Sequence, residues 1–77
     1  MSETQIEELL KTMVDLKMVN PINHRTEKWD ELMAKFNSSD IKNKDELFST
    51  VQSIWNSRSL RIQFHDYFEV LAPRVSI

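Results

Sequence analysis

A chain of 77 residues without a single glycine is confined to few architectures. Ordinary usage would place roughly five glycines in this length. Glycine is the residue that enters left-handed backbone cheaply, so its absence disfavours tight type I′ and II′ hairpins and glycine-capped helix ends. Phosphate-cradling loops and the strained nucleophile elbow of hydrolases need close backbone approaches that a Cβ blocks, and those signatures are missing together. The expected fold class is therefore all-α, a compact bundle of three to four short helices.

Size sets the next constraint. The chain suffices for one domain, residues 1–77, whose single core yields only about 3–5 kcal/mol of net stability. A partner or self-association is expected on that ground. Cysteine is absent, which removes disulfides and thiolate metal sites and leaves helix packing as the internal source of stability. The start, Met1 to Gln5, carries acid where a secretory signal carries base, and no apolar run approaches the ~18 residues of a membrane span. We expect a soluble, cytoplasmic protein with no membrane contact.

Helical spacing of apolar residues recurs along the chain. Ser2 with Gln5 forms a capping-box pattern, followed by Ile6, Leu9, Leu10, Met13 and Val14, which predicts a helix over 3–18 stopped by Asn20-Pro21. Trp29, Leu32, Met33 and Phe36 stand at i, i+3, i+4 and i+7 and predict a second helix over 25–37. Asn37 to Asp40 reads as a turn, since these side chains compete for backbone groups. Asn43 with Glu46 repeats the capping logic, and Leu47, Phe48, Val51, Ile54 and Trp55 give a third helix over 44–57. Leu60, Phe64, Tyr67, Phe68 and Leu71 fit a fourth, over 60–71, with 73–77 as a loose tail. Its apolar face lies roughly 150° from that of the third helix if one rotation of 100° per residue is carried through. A break over Asn56 to Ser59 resolves the mismatch; a strand over 60–65 is the competing reading, with little to pair against.

Catalytic constellations are weak. Ser59, His65, Asp66 and Glu69 can be written as a Ser, His, acid set, but a triad is defined by geometry and no turn presents the serine. His65 with Glu69, or His24 with Glu27 and Glu31, falls short of the ligand counts of zinc sites and reads as solvated helix face. Neighbouring carboxylates such as Asp45-Glu46 point about 100° apart on a helix, so they suit the helix dipole rather than acid–base pairing. We expect no enzyme activity, no small-molecule substrate, no metal and no cofactor.

A three-helix arrangement with Trp29, Phe36, Leu47 and Trp55 as core markers resembles a Myb/SANT-type or related trihelical DNA-binding repeat across about residues 26–58. The resemblance implies that the third helix reads a DNA groove, with Gln52, Asn56, Arg58, Arg61 and His65 as nucleic-acid contacts. Several features oppose it. The tryptophan spacing is not the usual one, and the turn before the third helix exceeds the three or four residues of a helix-turn-helix. Net charge is −2, with four acids against two bases in residues 1–20 and eight of each thereafter, so no basic excess exists to meet phosphates.

The strongest functional signal is an apolar excess near the C-terminus. Seven of the twelve residues from Leu60 to Leu71 are large and apolar, and Ile62 and Val70 lie away from the side occupied by the others. Such a helix is threaded through the middle of a bundle, or it offers its second side to a partner. The expected function is a small non-catalytic interaction protein, a regulator or inhibitor that binds a larger protein or itself. Accessory proteins of phages and mobile elements share this profile by analogy. The expected interface residues are Trp55, Arg58, Arg61, Ile62, Tyr67 and Val70, since aromatic residues and arginine are enriched at interfaces.

Overall fold

The computed structural model describes residues 2–23, 27–36 and 41–72. Five helices run in order: α1 (Glu3–Asp15), α2 (Lys28–Lys35), α3 (Lys44–Asn56), α4 (Arg58–Gln63) and α5 (His65–Leu71), with one 3₁₀ turn at Pro21–Asn23. The all-α class is as the sequence indicates, and the described residues contain no strand. The expected turn at Asn37 to Asp40, the tail at 73–77 and His24 lie outside the described residues.

Local chemistry sets the helix starts. Ser2 Oγ accepts from the Gln5 N–H while the Gln5 side chain accepts from the Ser2 N–H, both at 3.3 Å, which completes the capping box. Asn43 Oδ1 accepts from the Glu46 N–H at 2.9 Å, and the Glu46 carboxylate reaches one residue further back, to the Lys42 N–H at 3.0 Å. Asp45 and Glu46 also stand in the first turn of α3, where the helix dipole favours acids.

The end of α1 departs from expectation. It stops at Asp15, well before Pro21, in a Schellman arrangement: Met18 N–H donates to the Met13 carbonyl and Lys17 N–H to that of Val14, both at 3.0 Å. Lys17 supplies the left-handed residue, with φ 56°, and Met13 and Met18 are both buried. The turn carries Met18 back into the core that holds Met13, and the missing glycine did not prevent it. A left-handed lysine costs about 1–2 kcal/mol that glycine avoids. Lys17→Gly is therefore expected to stabilise the chain by about 1 kcal/mol, raising Tm by roughly 4–8 °C. An unchanged or lowered Tm in a thermal melt would contradict this conformation.

Asn20 is also left-handed, φ 51°, a conformation asparagine tolerates. Its N–H donates to the Leu71 carbonyl at 2.7 Å and so ties the loop after α1 to the last residue of α5. Lys28 Nζ donates to the Lys17 carbonyl at 3.0 Å, bringing the start of α2 to the same corner. The core gathers Ile6, Leu9, Leu10 and Met13 from α1, Trp29 and Leu32 from α2, Leu47, Val51 and Ile54 from α3, and Phe68 and Leu71 from α5. Phe64, between α4 and α5, joins them, as do the loop residues Met18, Phe36 and Ile41. Trp29 also meets Phe48 across α2 and α3, ring centroids 5.2 Å apart.

The fourth expected helix is two helices. The break foreseen over Asn56 to Ser59 shrinks to Ser57, whose extended backbone (φ −86°, ψ 110°) ends α3 and starts α4 in one residue. Its N–H donates to the Ile54 carbonyl at 3.1 Å, and its Oγ accepts from the Leu60 N–H at 3.4 Å. One extended residue is enough to re-aim the chain, which accounts for the phase jump between the two apolar faces. A second bend falls at Phe64 (φ −108°, ψ 38°), where the bond from Phe64 N–H to the Leu60 carbonyl closes α4 and the bond from Phe68 N–H to the Phe64 carbonyl opens α5. Residues 60–63 are helix, so the strand reading does not hold.

Candidate functional site

Because Ser57 turns α4 away from the line of α3, the end of α3 comes to rest beside α5. Trp55 of α3 meets Phe68 of α5 at 4.8 Å between ring centroids, tilted by 58°. The Arg61 guanidinium of α4 lies 5.7 Å from the same Phe68 ring, within cation–π range. One side chain from each of three helices thus meets at a single ring. Around this stack runs an open groove, to which α3 contributes Asn56, α4 contributes Arg58 and Ile62, and α5 contributes His65 and Glu69, with Ala72 beyond its end.

Four of the six expected interface residues line this groove: Trp55, Arg58, Arg61 and Ile62. Ile62 is 68% exposed, the most exposed large apolar residue described. Val70 is also exposed, at 49%, but it lies outside the groove. Ile62 and Val70 therefore do not form one patch: eight positions at 100° each separate them by roughly 80° even on a straight helix, and the bend at Phe64 intervenes. Tyr67 is elsewhere again, half-buried against α1. Of the expected nucleic-acid contacts, Asn56, Arg58, Arg61 and His65 share the groove, while Gln52 is exposed outside it.

Glu69, Ala72 and Phe68 are not among the expected interface residues. A signal existed for Glu69 and Ala72. From Arg58 the groove residues Ile62, His65, Glu69 and Ala72 follow at steps of four, three, four and three, the spacing of one helical stripe.

The opposite side of α4 and α5 meets α1 through polar groups. The Gln63 side-chain amide donates to the Glu3 carboxylate, and the Tyr67 hydroxyl donates to Glu7 Oε2 at 3.5 Å. Desolvation at this contact, then the negative charge of Glu7, its hydrogen bond and the charge of Asp66, raise the Tyr67 pKa above its ordinary value of 10.0. A raised folded-state pKa means that the folded chain holds the phenol proton longer than the unfolded one. The stabilisation is complete below pH 10 and is lost as pH climbs through the folded-state value. Alkaline titration of phenolate absorbance should give a higher midpoint for the folded chain than in urea, with Glu7→Gln moving it back towards the urea value. Coincident midpoints in wild type would refute the contact.

His65 lies between two acids: Nε2 is 3.3 Å from Glu69 and Nδ1 is 3.8 Å from Asp66. The three side chains are exposed, with ligand atoms within 4.8 Å of one another. Each carboxylate addresses a different ring nitrogen, so this arrangement bridges the ring instead of converging on one ion. Ser59 is exposed and makes no hydrogen bond to His65 among the described residues. None of the buried described residues is polar or charged, which places every functional group described at the surface. No described helix is long and apolar enough to cross a membrane. No known protein family, curated protein or solved structure matches the chain.

Proposed function

We propose that this chain is a non-catalytic protein-interaction module, a small regulator or inhibitor that acts by seating a protein partner in the groove between α3, α4 and α5. The observation that carries this reading is the exposure of Ile62, at 68%, in a concavity it shares with Trp55 and two arginines. A single exposed aliphatic residue is ordinary on a protein surface. One set beside a half-buried tryptophan and flanked by guanidinium groups has the composition of an interface centre, where an apolar anchor is ringed by polar groups.

The phage-type accessory role and the cytoplasmic setting belong to the same proposal and rest on the sequence profile alone. Binding to a protein partner, identified by co-purification with the chain, is expected to weaken tenfold or more in Ile62→Asp, while Thr4→Asp on the exposed face of α1 leaves it unchanged. Circular dichroism should be the same for both variants. Equal binding by Ile62→Asp would end this reading. If the chain instead binds duplex DNA with affinity falling steeply in salt, and Arg58→Ala with Arg61→Ala reduces that slope, the groove belongs to phosphates and the trihelical DNA-binding alternative replaces docking.

A further inference from the structure

We propose that the occupant of the groove is a second copy of this chain, packed antiparallel about a two-fold axis at the Phe64 bend; the inference rests on reading the groove as a docking surface. Two observations lead there. First, Arg58, Ile62, His65, Glu69 and Ala72 follow one another at alternating steps of four and three, which keeps them on one helical side. The stripe crosses the bend at Phe64, and all five residues still line one groove. Ile62 on this stripe is 68% exposed, so no described element covers it.

Second, the charges along the stripe are ordered. A base, Arg58, stands at one end, the exposed Ile62 and His65 flank the bend, and an acid, Glu69, stands towards the other end. A two-fold interface places one patch against itself, so the patch has to be self-complementary. Antiparallel packing about the bend sets Arg58 opposite Glu69 of the second copy, Ile62 opposite His65 of the second copy, and each pair occurs twice. Parallel packing would set arginine against arginine and acid against acid, which costs affinity. A foreign ligand requires no such internal symmetry of the groove. A single core of this size also stands to gain from association.

Sedimentation over a range of concentrations reads the result directly. Wild type is expected to rise from the chain mass of 9.2 kDa towards twice that value. Arg58→Glu and Glu69→Arg should each raise the dissociation constant about tenfold or more, since each replaces a matched contact by a mismatched one twice over, and Ile62→Asp should do the same by forcing a carboxylate out of water at the centre of the interface. Mixed one to one, Arg58→Glu and Glu69→Arg regain pairing at both ends and should form a heterodimer that neither forms alone. A 9.2 kDa species at every concentration overturns the second copy and leaves the groove to a foreign protein. Self-association untouched by Ile62→Asp overturns both this inference and the docking role of the groove. Self-association lost in Ile62→Asp without rescue in the charge-swapped mixture overturns the antiparallel register.

Discussion

Leu71→Ala is expected to leave the chain only marginally folded at 25 °C. Leu71 ends α5 with no exposed surface, and its carbonyl accepts from the Asn20 N–H at 2.7 Å. It therefore closes the core at the point where α5 and the loop after α1 meet. Truncating a fully buried leucine removes the transfer energy of its methyl groups and leaves a cavity, together about 2–5 kcal/mol. A core of this size begins with about 3–5 kcal/mol. A loss of about 3 from about 4 kcal/mol takes the folded-to-unfolded ratio from several hundred to about five. Urea denaturation should show the midpoint collapse for Leu71→Ala and a loss below about 1.5 kcal/mol for the volume-conserving Leu71→Met. Should Leu71→Ala cost less than about 1 kcal/mol, α5 is not the element that seals this core in solution.

The same residue shows how much of the architecture the sequence holds. Leu71 falls on the stripe with Phe64 and Phe68, and helical spacing alone assigns all three to the interior, where they are buried. The starts of α1 and α3 were equally legible, because Ser2 with Gln5 and Asn43 with Glu46 are side-chain patterns whose hydrogen bonds form as the spacing requires. Helix ends and joints were harder. Lys17 in a left-handed conformation gives no compositional cue, since the burial of Met18 that accompanies it becomes visible only once the loop is folded. Ser57 was recognisable as part of a break, but not as the whole of it. Phe64 was hidden by its own hydrophobicity: a residue on the apolar stripe that is also the bend does not disturb the periodicity that periodicity arguments read.

The site was legible in part for a related reason. Ile62 declared itself because it lies off the buried stripe, and no described element covers it. Tyr67 and Val70 have the composition of interface residues but belong to other faces, the first turned to Glu7 of α1. What joins Trp55 to Arg61 and Ile62 is the return of α3 onto α5. That is a tertiary event set by the backbone angles of Ser57, and residue spacing carries no direct record of it.

That return makes Phe68 the residue on which fold and groove both depend, and Phe68→Ala is expected to abolish the folded state. The ring is 5% exposed, beneath Trp55 and Arg61. Truncating a buried phenylalanine costs about 3–5 kcal/mol, with about 0.5–1.5 kcal/mol more for the lost aromatic pair, which equals or exceeds the stability available. Phe68→Leu separates the two roles. Leucine keeps an apolar side chain against the core, so the helices should remain by circular dichroism, with a loss of about 1–2 kcal/mol. It removes the aromatic face on which Trp55 and Arg61 meet. Trp29 is buried far along the chain among other partners, so a red shift of tryptophan emission in Phe68→Leu reports Trp55 turning towards water. Docking should weaken along with that shift, because Ile62 then lacks its aromatic neighbour in a fixed position. Emission and binding both unchanged would mean that Trp55 holds its place without Phe68, and that the groove is organised by α4 alone.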